Sequence, residues 1–87
     1  MLDPRDALAF TLLSTTTSAR ADHPELVVIK TEPTEDCTRF IAEVHPTDVQ
    51  RLIGRHGSNA NSVRTILAAI GWKEERRYAL AIHGDPG

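Results

Sequence analysis

Apolar side chains at helical spacing predict a first helix. The apolar positions are Leu8, Leu12 and Leu13, with Phe10 on the flank. Asp3 and Pro4 suit the cap and the first position of this helix. Residues 14–21 are rich in serine and threonine, which compete with helical hydrogen bonding. We therefore expect the helix to end near Ser14, or to fray on towards Ala19, and a linker to follow.

Two stretches containing β-branched residues predict a hairpin. Residues 26–31 begin with a continuous apolar run, as expected of a well-covered strand. Residues 38–44 alternate between the two faces of a second strand. The polar segment 32–36 contains a proline and predicts the turn between them. Phe40, Ala42 and Val44 fall on one face of the second strand, and Arg39, Ile41 and Glu43 on the other.

The pattern then returns to helical spacing around two glycines. Residues 48–53 predict a short helix, opened by a capping box of Thr47 and Gln50 and ended by Gly54. Beyond Gly57, residues 59–70 predict a longer helix. Ser58 is the expected N-cap of this helix, and Gly71 its expected end. Its apolar stripe consists of Ala60, Val63, Ile66, Leu67 and Ile70.

The remaining elements complete an α+β domain. Residues 72–75 predict a turn, and residues 77–83 a third strand. Tyr78, Leu80 and Ile82 would face inward. The order is helix, strand, strand, helix, Gly-x-x-Gly, helix, strand, which fits one three-stranded sheet backed by three helices. A chain of 87 residues makes a single domain. Residues 1–21 would be its N-terminal helix and linker, 22–83 its core and 84–87 its tail.

Charge is divided unevenly along the chain. Residues 1–48 carry nine acidic against four basic side chains. No acidic residue occurs from position 49 to 73, where Arg51, Arg55, Arg64 and Lys73 contribute four positive charges. Because the net charge is only −2, this segregation predicts one local anion-facing surface on an acidic body.

The sequence does not suggest an enzyme or a metal protein. His23, His45 and His83 lie at element ends without ligand spacing, and we find no nucleophile–base constellation. We therefore expect no catalysis, metal or cofactor. The lone Cys37 fits a reducing cytoplasm. The longest purely apolar runs have five residues, so we expect no membrane span, and early acidic residues disfavour a secretion signal.

The turn Gly54-Arg55-His56-Gly57 is the best candidate for a binding site. Its glycines allow a sugar-phosphate chain to approach the main chain without meeting a β-carbon. Loop amides and the N-terminus of the following helix direct partial positive charge towards a phosphate. We expect Arg55, His56, Ser58 and Asn59 to contact such a nucleic-acid backbone, with Arg51 and Arg64 extending the contact. Bases would lie between helix 48–53 and the second strand, over Ile41, Val49 and Ile53.

This pattern resembles a KH domain. An apolar pair precedes the first glycine, Arg55 lies between the glycines, and an amphipathic helix follows. In KH domains such a loop clamps about four nucleotides of single-stranded nucleic acid. Two strands before the turn and one after it match the type II arrangement. From residue 22 to the last strand, the chain resembles the small bacterial KhpA (YlqC-like) RNA-binding proteins. His56 stands where that family often has lysine or glutamine, and residues 14–21 resemble an insertion.

The resemblance implies a cytoplasmic, post-transcriptional or RNA-chaperone-type regulator linked to cell elongation and division. It also implies a homodimer and pairing with a larger KhpB (Jag-like) protein. A second hypothesis is therefore a protein-interaction subunit that acts mainly through such pairing. A DNA-binding helix-turn-helix is disfavoured, because the first of its two helices is under two turns long. Trp72 has two interpretations: packing at a helix end, which we favour, or stacking on a base.

Overall fold

The computed structural model describes residues 3–84. The predicted tail beyond Gly84 lies outside these residues. Three α-helices, Ala7–Arg20 (α1), Val49–Ile53 (α2) and Ser58–Glu74 (α3), alternate with three strands, Val28–Pro33 (β1), Cys37–Val44 (β2) and Arg77–Gly84 (β3). Short 3-10 turns span Pro4–Asp6, Pro24–Leu26, Pro46–Asp48 and Arg55–Gly57. The predicted element order and the α+β class are confirmed. No helix within residues 3–84 is long and apolar enough to cross a membrane.

The sheet has the strand order β1-β2-β3. β1 and β2 form the predicted antiparallel hairpin, with Ile29 opposite Ala42. β3 pairs with β2 in parallel, with Leu80 opposite Phe40. A parallel neighbour requires a crossover connection, and α2 and α3 supply it. The inward face predicted for β2 is confirmed, because Phe40, Ala42 and Val44 are fully buried.

The core lies between the sheet and the helices. Ala9 and Leu13 of α1, Phe40 of β2 and Leu67 of α3 form its buried centre. Phe40 and Tyr78 pack with ring centroids 5.5 Å apart. Within residues 3–84, no helix covers the other face of the sheet. On that face Lys30 Nζ lies 3.0 Å from Glu43 Oε1 and forms an ion pair with it.

A buried ion pair, which the sequence pattern did not suggest, joins the two ends of the described chain. Arg76 Nε lies 3.3 Å from an oxygen of Asp6, and both side chains are fully buried. Arg76 also donates to Thr38 and to the carbonyl of Glu35, the latter at 2.9 Å. Thr38 Oγ1 donates to Asp6 at 2.5 Å. The network joins the start of α1, the hairpin turn and the turn after α3.

The first helix extends through the segment predicted to be a linker. α1 continues to Arg20, because Ser14 and Thr16 donate their hydroxyl hydrogens to the carbonyls of Phe10 and Leu12, at 3.0 and 2.7 Å. Thr17 is buried against the body of the domain. Packing of this face therefore outweighs the weak helix propensity of the segment.

The third helix also continues beyond its predicted end. Gly71 lies inside α3, not after it. It permits close packing of the helix on β3, since an added β-carbon would meet the backbone of Arg76. The helix ends at Glu74, and Glu75 caps it in a left-handed conformation with φ 57°. The predicted turn at 72–75 is therefore wrong.

Several predicted burials are wrong as well. Trp72 is 89% exposed and does not pack at a helix end. Leu8 and Ile66, assigned to buried stripes, are about half exposed. β1 begins at Val28, not at residue 26, and its outer face is open, with Val28 half exposed. This strand lies at an edge of the sheet with helices on one face only, so a continuous apolar run does not imply full cover here.

Candidate nucleic-acid interface

The first glycine of the Gly-x-x-Gly turn ends α2 in a conformation that excludes other residues. Gly54 has φ 79° and ψ 173°, a region that essentially only glycine adopts. Its amide donates to the carbonyl of Gln50 at 2.8 Å, which closes the last turn of α2. An added β-carbon at Gly54 would lie 2.9 Å from the amide nitrogen of Asn59. The turn and the start of α3 therefore pack directly against each other.

The next residues reverse the chain by left-handed conformations. His56 has φ 55° and ψ 27°, and Gly57 has φ 76° and ψ 13°. The Gly57 amide donates to the carbonyl of Gly54 at 3.1 Å. The side chains of Arg55 and His56 are exposed. The side chains of Arg55 and His56 therefore project from a compact turn and are accessible to an anion.

The N-terminus of α3 opens directly behind this turn. Gly57 occupies the N-cap position that was expected for Ser58, and it has no side chain to satisfy the first helical amides. The first turn contains no acidic residue, and Ser58 is exposed. The Ser58 amide donates to the carbonyl of Arg55. The helix dipole and the following amides of the first turn favour a negative charge at this point.

Asn59, predicted to contact nucleic acid, makes a hydrogen bond within the chain. Its side-chain amide donates to the carbonyl of Arg51 at 3.0 Å. This carbonyl belongs to the last turn of α2, where backbone acceptors lack helical partners. Asn59 therefore holds α2 and α3 in a fixed arrangement across the turn.

The two outer arginines flank the turn with contacts inside the chain. Arg51 pairs with Asp22 at 3.0 Å, and both side chains are more than half exposed. Arg64 donates to the carbonyl of Leu80 on the free edge of β3, at 3.2 Å. Exposed pairs of this kind contribute little to stability. Both guanidinium groups can therefore exchange their present partner for a phosphate at small cost.

The predicted groove between α2 and β2 is wrong. α2 packs beside β3: Gly84 lies against Pro46 and Val49, and an added β-carbon there would be 3.0 Å from both. Ile41 faces the uncovered side of the sheet, opposite Lys30 and Ala81. Ile53 is half-buried next to Gly54 on the helical side. Parallel addition of β3 places this strand, not β2, next to α2, so Ile41 and Ile53 cannot line one groove.

The approach to α2 contains a cluster that the sequence pattern missed. Asp48 is fully buried and accepts the backbone amides of Asp22 and His23 at 3.0 and 3.1 Å. The Asp22 amide, above all, holds the pKa of Asp48 below its usual range. The rings of His23 and His45 stack with centroids 4.2 Å apart, although their sequence positions suggested no contact.

His45 also replaces the predicted capping box. Its Nδ1 accepts the backbone amide of Thr47 at 3.2 Å, so His45 caps the turn that leads into α2. The pairing of Thr47 with Gln50 is not formed. The sequence signal for this cap was Pro46, because proline is common at the first position of a helical turn and the residue before it, His45, is then the cap. Within residues 3–84, no three histidine, cysteine or acidic side chains converge on a possible metal position.

A Gly-x-x-Gly turn between two helices, packed on a sheet with a parallel third strand, defines a small KH domain of type II. The family described as KhpA/KhpB, KH domain, matches residues 11–82. The chain belongs to this family, which confirms the resemblance drawn from the sequence.

Individual relatives agree with this assignment. RNA-binding protein KhpA of Listeria monocytogenes is 38% identical over 61 residues, which cover 70% of this chain and 80% of the relative. The protein of the same name from Halalkalibacterium halodurans is 31% identical over 72 residues, 83% of this chain and 95% of the relative. That of Treponema pallidum is 36% identical over 64 residues, 74% and 80% of the two chains. No solved structure matches this chain.

Proposed function

We propose that this protein binds single-stranded RNA through the turn Gly54-Arg55-His56-Gly57. One observation carries the proposal: α3 begins behind a two-glycine turn, with no side-chain cap and no acidic residue in its first turn. The named relatives are RNA-binding proteins, which supports RNA over other polyanions as the ligand.

In this proposal the backbone of the RNA lies across the turn. One phosphate meets the amides at the start of α3 and the Ser58 hydroxyl, while Arg55 and His56 donate to neighbouring phosphates. Arg51 and Arg64 exchange their partners in the chain for further phosphates. Ile53 offers an apolar contact for a base beside the turn. Asn59 keeps the two helices in register, and Ile41 takes no part.

We further propose that binding, without catalysis, is the biochemical activity. The family resemblance supports a cytoplasmic post-transcriptional or RNA-chaperone-type role, connected with cell elongation and division. The turn offers amides and cations but no reactive side chain, which favours a backbone clamp over a reactive site.

The test replaces both side chains of the turn and leaves its glycines in place. Arg55→Asp together with His56→Asp should abolish binding to single-stranded RNA, measured by fluorescence anisotropy, because acidic groups would repel the phosphates. Arg39→Asp together with Thr34→Asp changes the net charge equally on the β1–β2 hairpin and should leave binding within about twofold. Equal RNA affinity of the loop variant and the wild type would contradict the proposal.

A second candidate function is pairing, either with itself or with a KhpB-like partner. Its support is Ile66, which lies in the middle of α3 and is 47% exposed. Ile66→Ser should then lower the mass measured by light scattering towards that of a single chain, with RNA binding per chain retained. The loop variant should show the converse, lost RNA binding with unchanged mass. A monomeric wild type at high concentration would contradict self-pairing.

A further inference from the structure

The strongest feature outside the turn is the exposed indole at the other end of α3. Trp72, the single tryptophan of the chain, is 89% exposed. Burial of an aromatic ring is worth several kilocalories per mole in ordinary packing, so full exposure is uncommon. The ring borders an open recess of about 780 Å³. Its lining residues are Asp36, Ala68, Gly71, Trp72, Glu75, Arg76, Arg77 and Tyr78.

The recess has apolar walls because α3 and β3 meet closely at its base. Gly71 allows the helix to approach the backbone of Arg76, and the Arg76 guanidinium turns inward to the buried Asp6. The charge of Arg76 is therefore neutralised inside the domain. Burial raises the pKa of Tyr78 to about 12, so its ring is a neutral wall at physiological pH.

Acidic side chains dominate the surroundings of this recess. Asp36 and Glu75 line it, and Glu35 and Glu74 are their chain neighbours. Arg77 and Lys73 are the opposing cations in the same segments. Neither Asp36 nor Glu75 forms an ion pair with another described residue of the chain. Both carboxylates are exposed and can accept from an incoming cation.

We propose that this recess docks a segment of a partner protein that presents an arginine or lysine beside an apolar side chain. The cation would stack on the indole of Trp72 and pair with Asp36 or Glu75. The apolar side chain would cover Ala68 and the ring of Tyr78. This site shares no residue with the Gly54–Gly57 turn, and the part of α3 from Ser58 to Trp72 places the indole about 21 Å along the helix from it.

The charges decide against two other occupants. RNA is disfavoured because its phosphates would meet the carboxylates of Asp36 and Glu75. A second copy of the chain is disfavoured because a two-fold contact centred on the recess places the same acidic residues opposite each other. A basic segment of a different protein is the occupant that satisfies both the ring and the carboxylates.

The test uses the full chain as bait for a random displayed-peptide library, with Trp72→Ala as the counter-selection. We expect enrichment of peptides in which arginine or lysine adjoins leucine or an aromatic residue. A synthetic copy of an enriched peptide should change the emission of Trp72. Its affinity should fall at least tenfold in the double variant Asp36→Asn with Glu75→Gln. Glu25→Gln with Glu32→Gln, the same charge change elsewhere, should leave it unchanged.

Three results would overturn the inference. The first is a selection that enriches no peptides or enriches acidic ones. The second is quenching of Trp72 by single-stranded RNA that persists in the loop variant Arg55→Asp with His56→Asp, which would assign the ring to RNA. The third is a shift of Trp72 emission with protein concentration alone, which would assign it to self-association. Because the loop variant keeps the recess intact, loss of the RNA proposal would leave this inference standing.

Discussion

The two glycines of the turn differ in how strictly they are required. Gly54 has φ 79° and ψ 173°, and a β-carbon there would lie 2.9 Å from the Asn59 amide nitrogen. Gly57 is in the ordinary left-handed region, and a β-carbon there would meet only the Asn61 side chain, at 3.5 Å. Gly54→Ala should therefore lower the free energy of unfolding by about 3 kcal/mol, and Gly57→Ala by about 1–2 kcal/mol.

Urea unfolding followed by circular dichroism measures both losses, and Ser58→Ala serves as a control next to the turn. Equal losses for the two glycine variants would contradict the conformational argument. Gly57→Asn offers a finer check, because asparagine tolerates the left-handed region better than alanine. It should recover part of the loss caused by Gly57→Ala.

Asp48 should govern part of the acid sensitivity of the domain. Its folded-state pKa is lowered, chiefly by the Asp22 amide. A lowered pKa stabilises the fold at pH values above that of the unfolded carboxyl, about 3.9, and the contribution disappears as the pH falls through the folded-state pKa. Asp48→Asn should melt at a lower temperature than the wild type at pH 7, and the difference should narrow below about pH 4.

Thermal unfolding at pH 7, 4 and 2.5 follows this difference. Arg5 lowers the pKa of Asp3 to about 2. Protonation of Asp3 therefore removes a similar amount of stability from both proteins at low pH, and its effect cancels in the comparison. A melting-temperature difference that stays constant from pH 7 to pH 2.5 would show that the Asp48 charge does not stabilise the fold.

At the scale of elements, the Asp6–Arg76 pair fixes three segments at one point. Arg76 bonds to Asp6 of the first turn, to Thr38 of β2 and to the carbonyls of Thr34 and Glu35. Arg76→Met would leave the Asp6 carboxylate buried without its cation, and should cost about 3–5 kcal/mol of stability. Asp6→Leu with Arg76→Met removes both charges and should be less destabilised than Arg76→Met alone.

Chemical unfolding of the wild type, both single variants and the double variant completes a double-mutant cycle. Additive losses would mean that the two buried groups do not depend on each other. Arg77→Met, next in the chain but exposed, is the matched control and should change stability by less than about 0.5 kcal/mol.

Local patterns predict elements well where one face is clearly apolar. The alternation of residues 38–44 correctly placed Phe40, Ala42 and Val44 in the core. The same reasoning ended α1 too early, because packing of Thr17 and the hydroxyl bonds of Ser14 and Thr16 overrode their propensities. Gly71 was misinterpreted as a helix end. Its role is to let α3 pack closely against the backbone of Arg76, a contact that local sequence rules do not describe.

At the scale of the molecule, the acid-free segment coincides with the Gly-x-x-Gly turn proposed to bind RNA, but sequence reasoning could not find long-range partners. Asp6 and Arg76 are 70 residues apart, and the stacked rings of His23 and His45 join two element ends. The position of β3 beside β2 decided which strand borders α2. That choice is invisible in local periodicity, so Ile41, although placed on the correct outer face of β2, was assigned to a groove beside α2.

The separation of charge across the whole molecule should limit RNA affinity and set its salt dependence. If the turn and its flanking arginines neutralise two or three phosphates, the logarithm of affinity should fall with the logarithm of salt concentration at a slope of about −1.5 to −2, with micromolar binding. Arg64→Gln removes one contact and should reduce the slope by about 0.7. Anisotropy titrations from 50 to about 300 mM salt measure both slopes, with Arg39→Gln as the control that should keep the wild-type slope. A slope near −4 for the wild type would require cations outside this turn. An unchanged slope for Arg64→Gln would mean that Arg64 does not contact a phosphate in the wild-type complex and keeps its hydrogen bond to the Leu80 carbonyl.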